Sequence, residues 1–135
     1  MYTWKEELCT GHDEVDKQHR KLFQVCARIE KNLQNGDQDV ARRTVIEGVK
    51  YLKEYTCLHF TTEEKLQLSL NYEDYENHKS IHDSFKKQIA EYEKQLEQCN
   101  YCRESVDELL TIVTKWLFNH IMGMDQKIPK TSYNA

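Results

Sequence analysis

The chain has 135 residues and a formal net charge of −4, from 19 Lys and Arg against 23 Asp and Glu. This length predicts one domain over residues 1–135, built around a single hydrophobic core. An acidic balance without a basic stripe argues against nucleic acid as a partner, and no stretch has the length and apolar character of a membrane span.

The N-terminal region lacks the apolar segment of a secretory signal, so we expect a soluble, cytoplasmic protein. Five cysteines, an odd number, favour free thiols in such a chain. Cys99 and Cys102 have the spacing of a redox or zinc motif, but no second pair accompanies them. We therefore interpret them as an ordinary pair in a helix connection.

The first half of the chain predicts two helices. An N-terminal loop containing Gly11 and His12 precedes the first, near 14–35, and His12 is not expected to be a ligand. A break at residues 35–37 follows. Asp37 is the predicted N-cap of the second helix, near 38–68.

The second half predicts two more helices. After a break at 69–72, Asp74 is the predicted N-cap of a helix near 74–98. After a break at 99–102, Ser105 and Glu108 form a capping-box pattern at the start of a helix near 105–122, which Gly123 terminates.

Apolar residues recur at steps of three and four in all four segments, which marks the buried seam of a helix in a bundle. The histidines fall on these seams, and we expect the second seam to end at Leu66 and the fourth at Met124. Short connections favour an all-α, up-down-up-down antiparallel four-helix bundle. In that topology the histidines meet at one end of the bundle.

Seven side chains of metal-ligand type are predicted to meet at this end of the bundle. They are His19, His59, Glu63, His78, His82, His120 and Asp125. A single histidine on a seam is more often a hydrogen-bonded core residue, but buried carboxylates without Lys or Arg partners need another positive charge. Imidazole and carboxylate suit first-row metals, and seven donors are too many for one tetrahedral zinc, so two metals are predicted.

Asp125 does not fit a regular helix. It follows His120 by five residues, which places it about 140° away around an α-helix. We expect the helix to widen or unwind near Gly123, because π-type bulges recur at functional sites.

The ligand motifs resemble those of the hemerythrin family over essentially the whole chain. They are the lone His19, His-Phe-x-x-Glu-Glu at 59–64, His-x-x-x-His at 78–82 and His-x-x-x-x-Asp at 120–125, with Trp4 and Trp116-Leu117 also matching. Gln67 stands where many members have Met.

The resemblance implies a non-haem di-iron centre, oxo- or hydroxo-bridged, that binds O2 reversibly. His78, His82 and His120 would hold one iron, His19 and His59 the other, with Glu63 and Asp125 bridging. The second iron would have the open position. Side chains expected by resemblance around the O2 site are Leu22, Phe60, Trp116, Leu117 and Ile121, and each could equally be an ordinary core residue.

The leading hypothesis is an O2 carrier, store or delivery protein without turnover, whose further partner would be a protein that receives O2. Five neutral imidazoles outnumber two carboxylates, which favours O2 binding over O–O cleavage. The alternatives are a di-iron enzyme that reduces nitric oxide or peroxide, a ferroxidase, and an O2-sensing module. No evident acid or base in the pocket weighs against the enzymes, and no output domain is seen for a sensor.

Overall fold

Four helices form nearly the whole molecule, as the sequence predicted. The computed structural model describes residues 1–130, and within that range it contains no strand. Two short 3-10 turns flank the bundle, at Glu6–Leu8 and Asp125–Lys127. The helices are α1 (Asp13–Leu33), α2 (Gln38–Ser69), α3 (Tyr75–Gln98) and α4 (Arg103–Gly123).

The predicted helix starts are correct at α2 but not at α4. Asp37 caps α2 by accepting the backbone N–H groups of Asp39 and Val40 at 3.0 and 3.1 Å. Asp74 occupies the N-cap position of α3 without a side-chain bond to the backbone. The prediction that Ser105 caps the fourth helix is wrong. The N-cap is Cys102, which has an extended backbone, and α4 begins at Arg103.

The connections between helices are short, and two of them reverse direction through left-handed residues. Asn71 has a φ of 51° after α2, and Asn100 and Tyr101 have φ values of 56° and 55° after α3. Asparagine tolerates this conformation better than most residues, because its short polar side chain bonds locally. The breaks predicted at these points are confirmed.

The helices pack in a closed ring. α1 contacts α2 and α4, and α3 contacts the same two helices. The seams supply a continuous core from Leu22 to Ile121, in which Cys26 is fully buried as a small apolar residue. The four-helix bundle is therefore confirmed, and each helix runs beside its neighbour in sequence.

The seam assignments that border the metal-ligand residues at Leu66 and Met124 are wrong. Leu66 is only half-buried, and Gln67 is buried in its place. Met124 is likewise half-buried, and Asp125 points inward instead. Helical periodicity favours the apolar residue at each of these positions, but at this end of the bundle polar groups occupy the interior.

The expectation of free thiols is wrong for two cysteines. The structure pairs Cys99 with Cys102 as a disulfide in the α3–α4 connection, where their Cα atoms are 5.5 Å apart. Cys9, Cys26 and Cys57 are free. No helix within residues 1–130 is long and apolar enough to cross a membrane.

Candidate metal centre

Each helix delivers its ligand-type residues to the same end of the bundle. His19 lies near the start of α1, and His120 lies near the end of α4. On α2, His59 and Glu63 are one turn apart, so both point into the same space. The same spacing brings His78 and His82 of α3 together.

Asp125 reaches the centre because α4 stops. The helix ends at Gly123, and Met124 leaves the helical region with φ −129° and ψ −52°. A 3-10 turn then turns the Asp125 side chain inward, where it is fully buried. The helix thus unwinds after Gly123, as expected, and it does so without a π-type turn anywhere in residues 1–130.

Three histidines and one oxygen from each carboxylate form the first group of donors. His120 Nε2 lies 2.9 Å from His78 Nε2 and 3.2 Å from His82 Nε2. Glu63 Oε1 lies 3.0 Å from His78 Nε2 and 3.1 Å from His82 Nε2. Asp125 Oδ1 lies 3.0 Å from His78 Nε2 and 3.1 Å from His120 Nε2.

The second group has two histidines and the other oxygen of each carboxylate. His19 Nε2 lies 3.0 Å from Asp125 Oδ2 and 3.5 Å from Glu63 Oε2. His59 Nε2 lies 3.3 Å from the same Glu63 oxygen. Glu63 and Asp125 thus each face both groups, one oxygen to each, as bridging carboxylates do.

The spacing of the first group matches the corners of one octahedron. Donors bound at about 2.1 Å lie about 3.0 Å apart when adjacent and about 4.2 Å apart when opposite. The adjacent pairs above fall between 2.9 and 3.2 Å, whereas His120 Nε2 and Glu63 Oε1 are 4.0 Å apart, nearly opposite. If these five donors held one metal in this geometry, a sixth ligand would come from outside the protein.

The buried polar atoms have few partners other than one another. All four oxygens of Glu63 and Asp125, and His19 Nε2, are buried without a hydrogen-bond partner. Within residues 1–130, the ion pairs of both carboxylates involve only histidines. Uncompensated buried carboxylates are strongly destabilising, so the site fits one or more cations.

The pKa values of the donor residues also show that the two carboxylates attract positive charge. Burial opposes protonation of His19 and His78, but contacts with Asp125 and Glu63 outweigh burial and raise each pKa to about 9. Burial would raise the pKa of Asp125, yet its histidine contacts lower it to about 2. Either protons or metal ions can balance these carboxylates.

Residues outside the two donor groups hydrogen-bond to the Nδ1 atoms of three histidine rings. The sequence did not predict these partners. His59 Nδ1 lies 2.8 Å from Gln18 Oε1, and His82 Nδ1 lies 2.9 Å from Glu64 Oε2. Gln67 lies 3.0 Å from His78 Nδ1. The signal in the sequence was a polar residue one helical turn from a metal-ligand residue, as with Gln67 after Glu63.

The residues expected around the O2 site are mostly in the core. Leu22, Leu117 and Ile121 are buried. The Phe60 ring stacks on His82 with centroids 3.9 Å apart, and the half-buried Trp116 ring stacks on His120 at 4.3 Å. Both aromatic contacts thus involve the three-histidine group.

His12 lies immediately before α1 and is buried. It belongs to neither group of metal-ligand atoms within residues 1–130. These groups comprise Glu63, His78, His82, His120 and Asp125, and His19, His59, Glu63 and Asp125.

Comparison with known proteins decides the family. The sequence model of the Hemerythrin HHE cation binding domain matches residues 10–129. The chain belongs to the hemerythrin family. Membership in the hemerythrin family implies a metal-binding domain, and the two donor groups are residues that could hold its metal ions.

Relatives of the chain come from bacteria and from amoebae. A bacteriohemerythrin of Stenotrophomonas maltophilia is 32% identical, over 93% of this chain and 78% of that protein. One of Clostridium acetobutylicum is 30% identical, over 94% and 98%. A hemerythrin-like protein of Naegleria gruberi is 27% identical, over 93% and 89%.

A solved structure shares the fold. The crystal structure of a hemerythrin with one Leu-to-Ala substitution has a TM-score of 0.76, covering 93% of this chain and 92% of that one. The sequences are 22% identical, so this likeness concerns the hemerythrin fold alone.

Proposed function

We propose that the protein binds O2 reversibly at a centre of two iron ions, as a carrier, store or delivery protein. His78, His82 and His120 would hold one iron, and His19 and His59 the other. Glu63 and Asp125 would bridge the two, because each has one oxygen in each group. Bound there as ferrous ions, the two irons would supply the electron density that O2 binding needs.

The observation that carries this proposal is the unequal number of protein donors around the two positions. One group has five donor residues and the other has four, with both carboxylates shared. The position beside His19 and His59 has fewer protein donors, so a metal held there would keep a coordination position for a small ligand. Five neutral imidazoles with two carboxylates also leave the site less anionic than carboxylate-rich bundle centres.

The surroundings favour binding over turnover. Leu22, Phe60, Leu117 and Ile121 are all buried, and none of them has a titratable proton to give to bound oxygen. An apolar lining also denies water the hydrogen-bond partners that it needs to enter. We propose that these four side chains and Trp116 protect the ferrous state in this way.

Two measurements on one preparation test the proposal. Metal analysis after expression with ample iron should give two irons per chain, with zinc supply controlled because affinity alone does not select iron. The anaerobically reduced protein should then take up one O2 per two irons and release it under inert gas. One metal per chain contradicts the di-iron centre, and irreversible O2 consumption contradicts the carrier function.

A further inference from the structure

The hydrogen bond at His78 differs from those at two other histidines of the centre. His59 and His82 each direct Nδ1 at an oxygen, of Gln18 and Glu64. His78 Nδ1 instead faces the amide nitrogen of Gln67 at 3.0 Å, and Gln67 Oε1 is buried without a partner.

This difference determines where the imidazole carries its proton. With the amide in this orientation its nitrogen can only donate, so Nδ1 must be unprotonated, and the neutral imidazole then carries its proton on Nε2. Glu63 Oε1 and Asp125 Oδ1, both 3.0 Å from Nε2, can accept that proton. A protonated Nε2 cannot bind a metal, and Nε2 is the atom that His78 directs into the first group.

Turning the amide by 180° reverses the arrangement. The oxygen and nitrogen of a Gln amide exchange places with little change in shape. Gln67 Oε1 would then accept the Nδ1 proton, and Nε2 would have a free lone pair for the metal, as in metal-ligating histidines generally.

We propose that Gln67 is a positioning residue of the metal centre, and that its amide oxygen fixes His78 in the metal-binding tautomer. In the present orientation Gln67 Oε1 has no hydrogen-bond partner, so turning the amide breaks no hydrogen bond of that oxygen. The side chain is well placed for this, because Gln67 is fully buried and its backbone carbonyl accepts the Tyr72 N–H at 3.0 Å, which holds the backbone in place. The inference rests on the metal centre of the proposed function, but not on O2 binding.

Two substitutions test whether Gln67 acts as a hydrogen-bond acceptor or only fills the space beside His78. Gln67→Met keeps the length of the side chain and removes both polar atoms, whereas Gln67→Glu keeps an acceptor oxygen and, when ionised, offers no donor. Gln88→Met changes an exposed glutamine of α3 and serves as the control. Each protein is loaded with Fe²⁺ without oxygen, and its iron is titrated with a chelator. Each is also loaded with Zn²⁺, a diamagnetic probe for histidine ¹⁵N NMR.

We expect Gln67→Met to bind iron about 10–100-fold more weakly, the usual cost of losing an outer hydrogen-bond partner. Gln67→Glu and Gln88→Met should retain affinity near that of the wild type. In the zinc-loaded wild type and Gln67→Glu, His78 should show a slowly exchanging Nδ1 proton, and Gln67→Met should lose this protection. Circular dichroism establishes that each variant is folded.

The proposal would be overturned if Gln67→Met kept the iron affinity of the wild type and a protected Nδ1 proton on His78. It would also be overturned if Gln67→Met and Gln67→Glu weakened iron binding equally. If Gln67→Met does not fold, an unprotonated Nδ1 of His78 in the zinc-loaded wild type also overturns it. These measurements use no O2. A protein that binds metal through Gln67 but consumes O2 irreversibly would refute the carrier function and leave this inference intact.

Discussion

Replacing Glu63 by Gln tests the division of the site into two unequal groups. The amide keeps the size of the carboxylate but has only one oxygen, so it can serve only one group. If that oxygen stays with His78 and His82, the first group keeps five donors and the second falls from four to three. Losing an outer partner already costs ~10–100-fold in metal affinity, so losing a direct donor should cost more.

We therefore expect Glu63→Gln to retain about one iron per chain instead of two, while Glu63→Ala, which removes both oxygens, loses or scrambles the whole centre and stays helical. Anaerobic reconstitution, desalting and iron analysis measure this directly. Glu54→Gln, an exposed change on the same helix, should keep both irons. Full retention of two irons with wild-type chelator resistance in Glu63→Gln would refute the bridging role. Loss of both irons would contradict the expectation that the five-donor group retains its iron when the second iron is absent.

Three other changes have defined outcomes. Leu117→Ala, at a side chain that is 2% exposed, should cost about 2–5 kcal/mol of stability and speed conversion to the ferric form at equal iron loading, followed by stopped-flow absorbance. Because the pKa values of His19 and His78 are raised from 6.5 to about 9, their contribution to the stability of the iron-free protein should be complete below pH 6.5 and be lost as the pH rises through 9. Urea unfolding of the iron-loaded protein should lack this trend, since metal replaces those protons. Asp37→Ala should cost about 1 kcal/mol by uncapping α2, and an unchanged urea midpoint would contradict the cap.

The bundle could be predicted from the sequence because its signals are local. Seam periodicity and turn residues such as Asn71 and Asn100 determine where helices lie and end. The convergence of His19, His59 and His120 followed from topology alone. Ser105 was misassigned because capping patterns also occur inside a first helical turn.

Contacts between helices could not be predicted in the same way. Gln18 reaches His59 across 41 residues and Glu64 reaches His82 across 18, and no local pattern specifies such pairs. The contact of Gln67 with His78 was not predicted, because a polar residue beside an apolar seam is usually exposed. Its burial becomes meaningful only when the neighbouring interior is seen to be a polar site.

Repeated gas exchange on the reduced wild-type protein tests the central claim most directly. Optical spectra are recorded under argon, after air, and after argon again, over several cycles at constant iron content. Reversible O2 binding predicts that the oxygenated spectrum appears and disappears in each cycle with little loss of amplitude. Stoichiometric conversion to the ferric form on the first exposure would contradict the carrier function and favour a di-iron enzyme in its place.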